Sequence, residues 1–166
     1  MATIAGSHAS LYACSVRDMA RLFAYGTLMC PDIFEKITGQ RPVAVSGRVK
    51  NHRCLCVRGE QYPGMVRGQG GEVAGLVYTF ASYLWPRLDA FEGEQYMRKP
   101  VTVWYESGKR ELVHSYIFRP EYRRLLTRAA WDYEAFLNGG REAFMASYIG
   151  WETTQRNAPK GAIGLD

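Results

Sequence analysis

Glu92 is a carboxylate in an apolar setting. The segment Ser82–Gly93 reads as a helix, and at about 100° per residue Leu84, Trp85, Leu88 and Phe91 gather on one stripe. Glu92 falls inside that stripe, between Trp85 and Leu88. Apolar neighbours desolvate a carboxylate and raise its pKa. A carboxyl group that titrates near neutral pH can both take and give a proton, which suits a general acid/base. The alternative at this position is a solvated glutamate that ends the helix. Glu94 comes round to about 280° on the same wheel and points away, so Glu92 is the preferred acid/base.

A second group with chemical potential is Ala24-Tyr25-Gly26-Thr27-Leu28-Met29. It joins a strand to a helix that starts at Pro31. Such a turn exposes backbone N–H groups, and the helix start adds partial positive charge. Together they suit a carboxylate or a developing oxyanion, and Gly26 lets backbone approach a ligand closely. An ordinary tight turn at a strand end would use the same residues. With one glycine and no GK[ST], it is not a phosphate loop. Tyr96, Arg98 and Tyr116 are each either a pocket contact or an ordinary strand residue.

Cys54 and Cys56 share one side of a strand, since side chains alternate with period 2. A metal site would need His52 or His114 as partners, and no CxxC pair or His-rich spacing supports one. With Cys14 and Cys30 they read as small thiols in a reducing compartment, which places the protein in the cytoplasm. No metal is expected.

The chain of 166 residues carries a net charge of +5. That length fits one domain with a real core. The tightest basic cluster, Arg119–Arg128, lacks the Lys/Arg run and interleaved aromatics of a nucleic-acid surface. It reads as a solvated face with a mild pull on small anions. No stretch approaches the roughly 18 apolar residues of a spanning helix. The start of the chain has neither a basic n-region nor a clean apolar core, which argues against a signal peptide. Neither nucleic acid nor membrane is expected as a partner, and the oligomeric state is open.

The elements that position these residues follow from periodicity and punctuation. Met1–Val16 reads as a loose leader, with residues up to Ala20 leading into the first strand. Arg21–Thr27 is apolar on both faces, as in a central strand. A short helix runs from Pro31 to Gly39, with proline in and glycine out. Val43–Lys50 and Arg53–Arg58 read as strands, and Gly59–Gly71 as a Gly-rich connection containing Tyr62-Pro63-Gly64. Glu72–Phe80 is a strand, followed by the Glu92 helix. Tyr96–Tyr105, the turn Ser107-Gly108-Lys109 and Glu111–Phe118 form a hairpin. After Pro120 the pattern turns helical. Trp131–Leu137 and Arg141–Tyr148 read as two helices separated by Asn138-Gly139-Gly140, and Thr153–Asp166 as a polar tail. This order predicts an α+β fold, a small mixed-sheet barrel with flanking helices. It comprises a leader over 1–20, a single domain over 21–150 and a tail over 151–166.

Taken together, Phe23-Ala24-Tyr25-Gly26-Thr27-Leu28-Met29, Leu88-Asp89-Ala90-Phe91-Glu92-Gly93 and Tyr96-Met97-Arg98 before Val101-Thr102-Val103 are far more specific than any one of them. From about Leu22 to Phe118 the chain resembles the gamma-glutamylcyclotransferase-like family, which includes avirulence-induced plant proteins and gamma-glutamylamine cyclotransferase. The short spacing from Glu92 to Tyr96 is that of the plant-like branch. The resemblance implies a barrel-centred fold, a substrate pocket lined by Ala24–Met29 and a catalytic acid/base at Glu92. It implies intramolecular cyclisation of a γ-glutamyl group to 5-oxoproline, with release of an amine or amino acid and no cofactor. Tyr25, Tyr96 and Tyr116 are candidates to shape the pocket. A non-catalytic module binding a γ-glutamyl-like ligand is the alternative. A second is the same chemistry on another acylated small molecule, and the leaving group is open.

Overall fold

Strand β1 (Met19–Ala24) is apolar on both faces because it separates two cores. Phe23 and, just beyond the strand, Tyr25 pack with Val49, Met65, Val73, Val77, Val101, Val103 and Val113 inside a barrel. Leu22 and Ala24 belong to the other core, with Phe34, Tyr78, Phe80, Leu84 and Leu88 beneath the helices. The structure is a computed structural model and describes residues 18–147. The leader Met1–Val16, Tyr148 and the tail Thr153–Asp166 lie outside the described residues.

The barrel follows the order β3 (Pro63–Ala81), β1, β5 (Arg110–Phe118), β4 (Tyr96–Trp104) and β2 (Val43–Val57), and β2 pairs again with β3 to close it. Only the β1–β5 pair is parallel, at Leu22↔His114; the other pairs are antiparallel. Closure removes the open edges that an isolated sheet would present. This is the expected α+β barrel with helices outside. Among the described residues no helix is long and apolar enough to cross a membrane.

Two strands are longer than the sequence suggests. β2 (Val43–Val57) is continuous, where two strands were expected. Asn51 at φ 56° absorbs the irregularity, and the register against β3 shifts between Lys50 and His52. Asn tolerates this left-handed conformation at a bulge. β3 (Pro63–Ala81) runs through most of the expected Gly59–Gly71 connection. Its glycines permit close packing: a Cβ on Gly64 would lie 2.7 Å from the Phe118 ring and 2.8 Å from Leu126 Cδ2.

Helix α1 (Pro31–Thr38) has proline in its first turn and Gly39 at φ 75° beyond its end, as expected. Residues Ser82–Leu84 make a 3-10 turn before α2 (Trp85–Glu92), so the expected single helix is two pieces. The hairpin of β4 (Tyr96–Trp104) and β5 (Arg110–Phe118) matches expectation. The first strand stops at Ala24 rather than Thr27, because Thr27–Met29 already forms a 3-10 turn.

After Pro120 the chain makes a 3-10 turn and then β6 (Leu126–Ala130), which the helical reading missed. β6 pairs with the outer half of β2. The two expected terminal helices are one helical run. α3 (Tyr133–Ala135) leads into a π-turn over Phe136–Gly140, and residues 141–147 continue it. The π-turn accommodates Gly139-Gly140 without breaking the helix. Asp132 Oδ1 caps its start by accepting from Ala135 N at 2.8 Å.

β3 packs closely on β1 at Gly75, where a Cβ would press against the Ala24 carbonyl oxygen and sit 2.7 Å from Phe23 Cζ. Both groups lie at the pocket end of β1. Gly75→Ala is therefore expected to destabilise by about 1–3 kcal/mol, the usual cost of overpacking. Urea denaturation of the two proteins measures it.

Candidate functional site

Glu92 is the last residue of α2, where the chain leaves the helix through Gly93 at φ 73°. Gly93 N–H donates to the Asp89 carbonyl at 3.1 Å. Leu88, one turn earlier, is fully buried and anchors the helix on the core. Both sequence alternatives for Glu92 thus meet here in part: it ends the helix, and it faces a cavity rather than open solvent. The residue is half-buried and lines a cavity of about 380 Å³. That volume lies at the small end of ligand pockets, roughly 300–1,000 Å³.

Burial pushes the Glu92 carboxyl up from 4.5 to about 8, and the negative charge of Asp89 adds to the effect. Among the described residues no hydrogen-bond donor offsets this. The C-terminal end of a helix, with its unpaired carbonyls, also disfavours a carboxylate. Burial likewise raises the phenols of Tyr25, Tyr62, Tyr96 and Tyr116, and the Glu92 charge pushes each the same way. These four tyrosines stay protonated and line the same cavity as neutral phenols.

Each tyrosine hydroxyl is pinned. Tyr25 OH donates to the Tyr116 carbonyl at 2.6 Å and accepts from Met65 N–H at 3.2 Å. Tyr96 OH donates to the Pro63 carbonyl at 2.7 Å. Tyr62 OH donates to Gln95 Oε1 at 3.4 Å. Tyr116 OH donates to Asp89 Oδ1 at 2.8 Å, which ties β5 to α2 one turn before Glu92. Arg98 Nη2 approaches Asp89 Oδ2 at 3.5 Å, and its guanidinium lies 4.0 Å over the Trp85 ring. Arg98 thus braces the helix from outside and does not line the cavity.

The turn after β1 closes the other side. Ala24, Tyr25, Gly26, Thr27 and Leu28 all line the cavity. Met29 N–H is taken by the Gly26 carbonyl at 2.9 Å, and Cys30 N–H by Thr27 at 3.1 Å. The N–H groups of Gly26, Thr27 and Leu28 precede this turn and have no backbone acceptor among the described residues. Such orphan donors suit an anionic ligand atom. Gly26 is required by packing, since a Cβ there would come 2.8 Å from the Pro63 ring. Met29 departs from the expected group. It borders a different cavity, and its carbonyl accepts from Tyr78 OH at 2.9 Å.

Several lining residues escaped the sequence reading. Gln61, Tyr62 and Pro63 come from the β2–β3 connection, Gln95 precedes β4, and Phe144 and Ser147 come from the terminal helical run. Tyr62-Pro63-Gly64 signalled a turn, but nothing local places that turn over the cavity. Glu94 is exposed at the cavity wall. The other polar candidates are dispersed. Cys54, pushed up to about 12 by burial and by Cys56, lies 4.0 Å from the Tyr25 carbonyl. Cys56 lies 3.6 Å from the Ala130 carbonyl, and the His114 ring packs on Trp85 at 5.7 Å. Among the described residues no three His, Cys, Asp or Glu side chains form a metal-binding group. Arg119, from the basic cluster, is occupied in donating from Nε to the Tyr96 carbonyl at 2.9 Å.

The raised pKa has a signed consequence for stability. Between pH 4.5 and about 8 the folded protein keeps a proton on Glu92 that the unfolded chain has lost. Stability from this group is complete below pH 4.5 and falls as pH rises towards 8. Glu92→Gln has no such loss. Its advantage over wild type is expected to be absent at pH 4. It should reach about 3 kcal/mol above pH 8, one pKa unit being worth about 1.4 kcal/mol with part screened by cavity solvent. Thermal or urea unfolding across that range measures it.

Comparison with known proteins agrees with this geometry. The family model for gamma-glutamyl cyclotransferase, AIG2-like, matches residues 22–134. AIG2-like protein A of Arabidopsis thaliana is 29% identical over 96 residues, 57% of this chain. The chain spans only 58% of that curated relative's length. A solution structure from Arabidopsis thaliana is 23% identical, with a TM-score of 0.60 over 86% of this chain and 96% of its own. A gamma-glutamyl cyclotransferase of solved structure is 16% identical, with a TM-score of 0.57 over 89% of this chain and 92% of its own. At those identities the two structures share the fold. The family match covers every barrel strand from Leu22 onward, the turn after β1 and the Glu92 helix, and so the chain belongs to the AIG2-like gamma-glutamyl cyclotransferase family.

Proposed function

We propose that this chain is a cofactor-independent gamma-glutamylcyclotransferase with Glu92 as its general acid/base. The observation that carries the reading is the Glu92 carboxyl, pushed up to about 8 within a cavity also lined by Gly26, Thr27 and Leu28, whose N–H groups have no backbone acceptor among the described residues. A buried base without a hydrogen-bond donor weakens stability, and a pure binding module gains nothing from it.

The substrate is a small molecule carrying a γ-glutamyl group. Its γ-carbonyl oxygen lies against the N–H groups at Gly26–Leu28. The substrate's α-amine reacts as the neutral amine, and Glu92, as carboxylate, takes one of its two protons as the new C–N bond forms. The amine nitrogen attacks the γ-carbonyl carbon, a C–N bond forms and the carbonyl electrons move onto oxygen as an oxyanion. The turn's N–H groups stabilise that charge. Glu92, now protonated, delivers the proton to the leaving nitrogen as its C–N bond breaks. The products are 5-oxoproline and a free amine, no water is consumed, and Glu92 returns to its starting state. The rigid tyrosine wall favours the folded substrate and supplies proximity. The thiols of Cys30, Cys54 and Cys56 are unpaired, which fits a reducing cytoplasmic setting.

A pKa near 8 leaves a fraction of Glu92 ionised at pH 7, a compromise between base availability and acid strength. The expected kcat/KM therefore rises with pH to a plateau with a midpoint near 8. Glu92→Gln should lower turnover by about 10²–10⁴ and abolish that limb while leaving the fold intact. Screening γ-glutamyl amides, γ-glutamyl amino acids and glutathione for 5-oxoproline release provides the assay. Equal rates in the two proteins contradict the assignment. Ligand binding without turnover in wild type marks a binding module instead.

A further inference from the structure

The family match ends at residue 134, yet the cavity does not. Phe144 and Ser147, on the helical residues beyond it, complete the wall. Phe144 is set edge-on between two rings, 6.0 Å from Phe91 and 6.0 Å from Phe136, both at 75°. Phe136 is buried, and Phe91 is the neighbour of Glu92. The run is held to the domain by the ion pair of Arg141 with Asp32 on α1. Just before it, Trp131 Nε1 donates to the Gln61 carbonyl at 2.9 Å. A Cβ on Gly140 would displace the Gln61 side-chain amide, whose Oε1 lies against it. This wall therefore stands on ring packing, the Arg141–Asp32 ion pair and the Trp131 hydrogen bond to Gln61.

The turn at Gly26–Leu28 and Glu92 fix where the acyl group reacts. What projects beyond the scissile bond meets the rest of the lining, which includes the rings of Tyr62, Phe91 and Phe144 and the short side chain of Ser147. The ionisable carboxyls of that lining are Glu60, Glu92 and Glu94, and no Lys, Arg or His stands among the described lining residues. An aromatic wall rewards apolar area. A lining with carboxylates and no cation penalises a carboxylate on the departing group.

We propose that Phe144 and Ser147 form the specificity wall for the leaving group, and that the group selected is an apolar amine lacking a carboxylate. This rests on the cyclotransferase reading of the same pocket. The leaving nitrogen takes the Glu92 proton as above; its substituent packs on Phe144.

The test compares γ-glutamyl benzylamide, γ-glutamyl methylamide and γ-glutamylglycine on wild type, Phe144→Ala and Ser147→Phe. Both 5-oxoproline release and calorimetric binding are measured. Wild type is expected to favour benzylamide over methylamide by about tenfold or more in kcat/KM, with γ-glutamylglycine the poorest. Phe144→Ala should collapse the benzyl preference by raising KM for benzylamide far more than for methylamide. Ser147→Phe narrows the cavity without removing a packed ring, and should lower kcat/KM for benzylamide more than for methylamide. Equal benzyl-to-methyl ratios in all three proteins, or a wild-type preference for γ-glutamylglycine, overturn the wall and leave the reaction standing. Phe144-dependent binding of benzylamide without 5-oxoproline release upholds the wall and contradicts the reaction. Wild type that neither binds nor converts any of the three overturns both.

Discussion

Holding the Glu92 carboxyl among phenols, at the C-terminal end of a helix and three residues from Asp89, is unfavourable for folding. Every nearby feature bears on how that arrangement is sustained. Leu88 and Leu84 seat α2 on the core below it. Asp89 is held on its other side by Tyr116 and Arg98, so its charge stays close to Glu92 while its oxygens are hydrogen-bonded or paired. The helix is thus fastened by its own second carboxylate. Desolvation then sets the proton affinity of the first, and Asp89 raises it further. Two carboxylates one turn apart have taken different environments, and the environments set different tasks.

The barrel fixes the opposite face of the cavity. Tyr25 lies at the pivot, because its hydroxyl joins β5 and β3 while its backbone begins the turn that carries the orphan N–H groups. Ser115 Oγ, which donates to the Phe23 carbonyl at 2.8 Å, ties β5 to β1 one step earlier. The geometry of the turn is therefore inherited from strand pairing. Glu92 comes from a helix on the second core, and the two cores meet at β1. In the proposed mechanism a shift of β1 alters the distance between Glu92 and the N–H groups of the turn.

The legible parts of this molecule were those determined locally. Leu22, Phe23, Ala24 and Tyr25 announce a strand apolar on both faces, and Pro31 with Gly39 brackets a helix. The burial of Glu92 follows from helical periodicity within a single turn or two. The parts that were misread depend on distant partners. Glycine usually marks a connection, but Gly64 belongs to a strand because the Phe118 ring occupies the space a side chain would need. Leu126–Ala130 becomes a strand only through pairing with β2. Met29 turns from the cavity because the 3-10 turn begins at Thr27. Phe144 enters the cavity because the π-turn lets the terminal run continue past Gly139-Gly140, which reads locally as a stop.

The central claim is that Glu92 carries its proton at neutral pH and exchanges it near pH 8. Titration of the glutamate side-chain carboxyl carbons by NMR, with the Glu92 signal assigned by its loss in Glu92→Gln, measures this directly. The expected result is one carboxyl with a midpoint near 8, missing from the variant. A Glu92 signal titrating near 4.5 would show an ordinary solvated carboxylate and contradict the account.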